Sequence, residues 1–429
     1  MTFYIYNFGC KVNQYESQIM SELMVEHGYI HSTSKNSADI FIINSCTVTA
    51  VSDNKVMKLI RHLRRENPDC IIVLTGCMPQ AYPDKTEEFS LVDIVLGNSV
   101  RSELPSEIEK FLSTKNQIIN VHRYTKSTDF ETVSVTKFEE RTRAFIKIED
   151  GCNRYCSYCI IPYARGPVRS KPIDILKREL EHLAKSGYKE VVLVGINLSA
   201  YGSEFGLDLG HAVECACEID GIERVRLGSL EPERMDKYMI DRLTKLDKFC
   251  PQFHLSLQSG CTETLKRMNR HYTADEYKKI VNDLRSAFTN CSITTDVMVG
   301  FAGESEEEFQ TSADFVKDIA FAKVHVFPYS RREGTKAYNA PDQVDGSVKT
   351  IRAKIMTDLT NQSRQDFLNS QLGLIEDVLF EQPVGGGYWE GYTKNYTPVK
   401  VLSEENINGR IFKVKLISIN GEHCIGEFV

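Results

Sequence analysis

The chain has 429 residues, of which 41% are apolar and 26% charged, a net charge of −7, and thirteen cysteines. That length predicts two or three domains with ample material for a core, and the absence of any eighteen-residue apolar run argues against a membrane span. The acidic balance disfavours a protein that coats nucleic acid non-specifically, and the odd cysteine count disfavours a secreted disulfide framework. The first ten residues lack a basic n-region and an apolar signal stretch, so a cytoplasmic location is expected.

In the first segment, to about residue 125, short apolar runs alternate with helical patterns. Residues 3–8, 40–44, 71–75 and 94–96 read as strands, with helices over 14–27 and 52–66. This alternation predicts a doubly wound parallel sheet. Cys10, Cys46 and Cys77 follow the first, second and third strands. Open α/β sheets hold ligands at the carboxyl ends of their strands, so these thiols are expected to converge. The alternative is three unrelated buried cysteines, because a free Cys often behaves as a small hydrophobe. Cys70 precedes its strand and reads as structural.

In the second segment, about 140–370, strands at 144–149, 190–195, 224–228, 253–257, 292–299 and 323–327 are each followed by helix. A curved parallel sheet or partial barrel follows, with function at the strand C-termini. Cys152, Cys156 and Cys159 sit just past the first strand with the spacing Cys-x3-Cys-x2-Cys. Soft thiolates at this density suit an iron–sulfur cluster. A zinc site, the alternative, needs a fourth ligand, and the nearest His are His122 and His182. Three ligands leave one iron of a four-iron cluster open. Arg141, Arg143, Lys147, Arg154, Arg165, Arg169 and Lys171 stand against only Glu149 and Asp150 across this region. A phosphate-binding surface is expected there, a solvated run being the bland reading.

The third segment, about 372–429, offers five short strands at 378–381, 389–393, 397–401, 410–418 and 423–428, with Asn420-Gly421 as a hairpin turn. A small five-stranded β-barrel is expected. It carries five Lys/Arg against eight Asp/Glu, whereas an RNA-binding barrel is usually basic. Tyr388, Trp389, Tyr392 and Tyr396 suit base stacking or a small core equally.

The cysteine triplet, with Tyr158 before its last member, resembles the radical S-adenosylmethionine (SAM) signature. The whole chain resembles the methylthiotransferase family, through Gly9-Cys10-Lys-Val-Asn13, Asn44-Ser-Cys46-Thr-Val, Thr75-Gly-Cys77, and Gly151-Cys-Asn-Arg-Tyr-Cys-Ser-Tyr-Cys-Ile-Ile-Pro162 with Arg165-Gly166. The resemblance implies an N-terminal domain over 1–125, a radical SAM partial barrel over 138–370 and a TRAM-like β-barrel over 371–429. It further implies two 4Fe-4S clusters, one on Cys152, Cys156 and Cys159 that cleaves SAM to a 5′-deoxyadenosyl radical, and an auxiliary one on Cys10, Cys46 and Cys77. Tyr158, Asn197, Ser229, Glu231 and Gln258 become candidate SAM contacts. Helix capping is the plain alternative for the four at strand ends, and shielding of the cluster for Tyr158.

Residues 9–17 and 391–396 resemble the branch acting on N6-threonylcarbamoyladenosine next to the tRNA anticodon. The isopentenyladenosine branch tends to carry Gln-Met in place of Lys11-Val12, and a third branch modifies an aspartate of a ribosomal protein. The implied partners are a tRNA anticodon loop, a flavodoxin- or ferredoxin-type reductant and a sulfur donor, with no membrane and a monomeric enzyme. The target C2–H bond is unactivated, so no side-chain base has a matching pKa. A radical cofactor carries that step, and no acid–base dyad is expected.

Overall fold

The computed structural model describes residues 1–125, 128–133, 135 and 142–429. The first sheet is built from β1 (Thr2–Asn7), β2 (Ile30–His31), β3 (Ile40–Ser45), β4 (Ile71–Gly76), β5 (Ile94–Leu96) and β6 (Ile118–Asn120), in the order β2-β1-β3-β4-β5-β6. All of its pairings are parallel. β3 and β4 are buried at every position, as central parallel strands covered on both faces must be. Helices α1 (Lys11–Glu26) and α4 (Leu104–Thr114) pack Met20, Met24, Leu104 and Ile108 on one face. On the other, α2 (Ala50–Glu66) packs Val56, Ile60 and Leu63, and the short α3 (Cys77–Ala81) contributes Met78. The expected doubly wound sheet is therefore present, with β2, β6 and α4 added to it.

In the central segment β7 (Arg143–Lys147), β8 (Glu149–Asp150), α5 (Ile161–Arg165), β9 (Arg169–Ser170), α6 (Ile173–Lys185), β10 (Glu190–Val194), α7 (Leu209–Glu218) and β11 (Arg224–Leu227) come first. Then come β12 (Ser229–Leu230), α8 (Lys237–Leu243), β13 (Gln252–Leu255), α9 (Thr262–Arg267), α10 (Ala274–Ala287), β14 (Ser292–Val299), α11 (Glu306–Ile319), β15 (Lys323–Pro328) and α12 (Gly346–Ser370). The parallel strands form two runs, β7-β10-β11 and β12-β13-β14-β15, and Gly228 joins β11 to β12. Among the described residues β7 and β15 each pair on one side only, so the barrel is open, as expected. Capping boxes Thr273/Glu276 and Ser305/Glu308 fix the starts of α10 and α11.

Helix α1 serves both segments. While Met20 and Met24 face the first sheet, Val12, Tyr15 and Ile19 join the core of the partial barrel with Ile146, Leu176 and Leu180. The chain ends in a closed barrel, β16 (Ile375–Gly385), β17 (Tyr388–Tyr392), β18 (Pro398–Leu402), β20 (His423–Phe428) and β19 (Ile411–Asn420). It docks on the foot of the central sheet, where Arg224 donates to the carbonyls of Tyr392 (2.9 Å) and Asp377 (2.5 Å) and Arg226 to that of Lys394 (2.9 Å). No described helix is long and apolar enough to cross a membrane.

Candidate active site

The sheet order reverses between β1 and β3, and ligands of open α/β sheets sit in the crevice beyond such a switch point. Cys10 follows β1, Cys46 follows β3 and Cys77 follows the neighbouring β4. Each of Cys10 and Cys77 lies within electrostatic reach of Cys46. Their loops are knitted together by polar side chains. Asn13 donates to Asn44 Oδ1 and to the Ser45 carbonyl, both at 3.1 Å, and its Oδ1 stands 3.3 Å from Cys10 Sγ. Ser45 Oγ donates to the Thr75 carbonyl (2.5 Å) and accepts from Met78 N–H (3.2 Å). Gly76, at φ +96°, lets β4 pass against Ser45, whose backbone a Cβ would strike.

A side chain from the second segment completes this site. Arg165, fully buried on α5, donates from Nε to Cys77 Sγ (3.2 Å) and from Nη2 to Asn13 Oδ1 (3.2 Å). Its two Nη groups clasp the buried Glu16 carboxylate, with the Nη2–Oε2 bond at 3.0 Å. Burial pushes Cys77 up to about 12, while Arg165 pulls the other way. Burial also pushes the Glu16 carboxyl up, but Arg101, Arg165 and Lys147 together hold it well below the carboxylate range.

The second triplet lies in the loop beyond β8. Cys156 is buried, whereas Cys152 and Cys159 are half-buried, and each of the latter two is within electrostatic reach of Cys156. Here too an arginine faces the sulfurs: Arg270 donates from Nη1 to Cys156 Sγ (3.3 Å) and from Nη2 to Glu231 Oε2 (2.5 Å). Burial pushes Cys152 to about 12 and raises Cys159 further.

A cavity of about 170 Å³ separates the two sites. One wall is Tyr158, Cys159, Gln258 and Met298; another is Val48 and Thr49, two and three residues beyond Cys46. Tyr158 and Gln258 therefore meet at this cavity, and Gln258 holds φ +69° there. Asn197 lines a second groove, of about 580 Å³, with Arg154, Arg234 and His271, and its Oδ1 is buried with no hydrogen-bond partner among the described residues. Neither Asn197 nor Glu231 caps its following helix through its side chain. Ser229 is exposed and lines neither space.

The family models match "Uncharacterized protein family UPF0004" over residues 2–97 and "Radical SAM superfamily" over residues 146–316. Threonylcarbamoyladenosine tRNA methylthiotransferase MtaB of Bacillus subtilis (strain 168) is 36% identical over 431 residues, covering 99% of this chain and 95% of its own. The chain belongs to the radical SAM methylthiotransferase family. A second relative, the tRNA-2-methylthio-N(6)-dimethylallyladenosine synthase of Pelotomaculum thermopropionicum, is 32% identical over 98% of this chain and 96% of its own. Among solved structures, the radical SAM methyltransferase TsrM from Kitasatospora setae shares the fold, with TM-score 0.58, 14% identity, and coverage of 79% of this chain and 73% of its own.

As a radical SAM methylthiotransferase the chain works with an iron–sulfur cluster and SAM. Its donors fit such a cluster. Buried thiols shed their protons when a metal takes them, and each triplet has a guanidinium beside it to offset the charge. Among the described residues, no three Cys, His, Asp or Glu groups converge on one ion; thiolates of a cluster each take a separate iron and stand apart.

The expected basic surface of this methylthiotransferase is not a surface. Lys147, Arg165, Arg169 and Lys171 are all buried. Lys147 and Arg165 serve Glu16, Arg169 serves Asp150, and Lys171 serves Glu179. Arg143 pairs with Glu381 of the terminal barrel and Arg154 with Glu233, while Arg141 lies outside the described residues. Strand alternation explains part of it, since Arg143 and Lys147 share one face of β7 with Phe145. The barrel tyrosines are similarly engaged. Tyr392 and Tyr396 stack on each other, 4.5 Å between centroids, and Arg143 covers both rings at 5.1 and 5.0 Å. Trp389 packs against the barrel core.

Proposed function

We propose that this chain adds a methylthio group to C2 of N6-threonylcarbamoyladenosine, next to the anticodon of tRNA, using SAM and two 4Fe-4S clusters. The observation that carries the reading is the cavity of about 170 Å³ reached by both cysteine loops. Cys152, Cys156 and Cys159 would hold one cluster, and Cys10, Cys46 and Cys77 the other. Bound there, the clusters and SAM supply the radical and sulfur chemistry that an unactivated C–H bond requires. The chain's own residues enclose and orient. Tyr158, Met298 and Phe327 give the cavity apolar walls, and Gln258 and Asp296 offer polar contacts within it. Glu231, held by Arg270, and Asn197, with its free Oδ1, are polar contacts for the methionine and ribose of SAM, and Ser229 marks the adjoining strand end.

Lys11 supports the threonylcarbamoyl branch. That group carries a carboxylate, whereas an isopentenyl group is apolar. Lys11 is solvent-accessible yet crowded by protein, its ammonium 5.9 Å from the centre of the Phe145 ring. Burial and then the charges of Arg143 and Arg226 lower its pKa to about 8. Among the described residues it makes no salt bridge, so a cation next to Cys10 is left for an anionic group.

The reading includes functional units at 1–125, 138–370 and 371–429, a cytoplasmic monomer, a flavodoxin- or ferredoxin-type reductant and a separate sulfur donor. An anaerobic reaction of reconstituted protein with SAM, reductant, sulfide and tRNA tests it, with mass spectrometry of the nucleosides. Methylthiolation of threonylcarbamoyl-tRNA alone supports it. Methylthiolation of isopentenyl-tRNA alone keeps the chemistry and overturns the branch.

A further inference from the structure

We propose that an aromatic groove beside the cavity, displayed by Tyr155 and Tyr163, stacks the unpaired nucleotides that flank the target adenosine. This inference rests on the tRNA reading above and names the surface that would meet the RNA.

The groove has a volume of about 530 Å³ and lies between the loop of the second triplet and the chain beyond α3. It shares Ile160 as a wall with the cavity, so the two lie side by side. Tyr155 is 56% exposed and Tyr163 51%. Their rings meet edge to face, with centroids 6.3 Å apart at 79°. Both are held on short, fixed pieces of chain. Tyr155 sits at φ +51°, a left-handed position unusual for an aromatic residue, and its carbonyl accepts from Asn269 Nδ2 at 3.1 Å. Tyr163 rides on α5. Both rings are exposed, so the pair is displayed outward beside the second triplet.

The chemistry of the reaction supplies the occupant. Reaching C2 of a base requires that the base leave its stack. Its neighbours then lose a stacking face, and exposed aromatic rings replace it without reading sequence. The electrostatics of the rim agree. Among the described residues Arg123 at the groove pairs only with Asp84, at 2.6 Å, with both side chains mostly exposed, a pairing that a phosphate can displace. Lys147, Arg165, Arg169 and Lys171 of the basic run are buried and unavailable to phosphate, whereas this groove combines both rings with an exchangeable cation.

The test uses full-length reconstituted protein and an anticodon stem-loop carrying the modified adenosine. Binding is followed by fluorescence anisotropy, and KM and kcat by product formation. Tyr163→Ala should weaken stem-loop binding and raise KM by about 10-fold or more, with kcat changed much less, whereas Tyr163→Phe and Tyr163→Trp should bind like the wild type. An abasic site beside the target should cost the wild type a similar factor and cost Tyr163→Ala little more. Tyr155→Ala should behave like Tyr163→Ala where it retains its iron; if it does not, the Tyr163 series, outside the triplet, decides. Unchanged binding and KM in Tyr163→Ala, or fully additive losses with the abasic RNA, would overturn the inference while leaving the methylthiotransferase reading standing. A wild type that methylthiolates no RNA would overturn both.

Discussion

Arg165 is the residue on which the first cysteine site depends most. It comes from α5, yet it touches Cys77, Asn13 and Glu16 of the N-terminal segment. Replacing it by Gln leaves Glu16 with less compensation in a buried setting, a change expected to cost about 3–5 kcal/mol. Arg165→Gln should therefore lower the melting temperature and the iron bound per chain, and Arg165→Lys should recover part of both. Iron and sulfide content, with thermal unfolding, reads the outcome. At this scale the sequence was informative about the cysteines, because their spacing and their places after strands are local properties. It was silent on Arg270, whose partners Cys156 and Glu231 lie 114 and 39 residues away and meet it only through the fold.

Among the elements, the foot of β10 carries the clearest electrostatic consequence. Glu190 is buried beside Arg226, which donates to it at 2.8 Å, with Arg224 and Arg143 near by. Burial pushes its carboxyl up, but Arg226, Arg143 and Arg224 bring it down to about 2. An unfolded glutamate titrates at about 4.3. Its folded pKa is thus depressed, so its contribution to stability is complete above about pH 4.3 and is lost as pH falls toward 2. Glu190→Gln should destabilise the native protein by about 3–5 kcal/mol at neutral pH and flatten the acid limb, as denaturant melts at pH 7 and at about pH 3 would record. Long periodic helices such as α10 and α11 were legible, because capping boxes and apolar spacing are written locally. The two-residue β2 and three-residue β6 were not, since an edge strand so short has no period to read. The apolar pattern starts α1 at residue 14, three residues late, because Cys10 itself occupies the N-cap.

For the whole molecule, the three segments are interlocked. α1 belongs to two cores, and Arg224 and Arg226 pin the terminal barrel through backbone carbonyls. The alternation of apolar runs predicts the observed fold class of each segment, but the basic run predicts the wrong surface. A run of seven basic residues looked outward-facing, while most of its members neutralise buried carboxylates. The barrel's charge deficit and its engaged tyrosines point to a structural role. Lys394 already donates to the Asp247 carbonyl at 2.9 Å. Replacing Lys400 and Lys413 with Glu should then leave tRNA affinity unchanged across a salt titration; a reduced salt slope would instead make the barrel a phosphate contact.

We propose that the two cysteine sites serve one cavity in distinct roles. The most direct measurement compares wild type, Cys46→Ala and Cys152→Ala in one anaerobic reaction with SAM, reductant, sulfide and threonylcarbamoyl-tRNA, quantifying 5′-deoxyadenosine and methylthio nucleoside together. Cys152→Ala should form neither, and Cys46→Ala should form 5′-deoxyadenosine without the methylthio product. Methylthio product from Cys46→Ala at the wild-type level would contradict it.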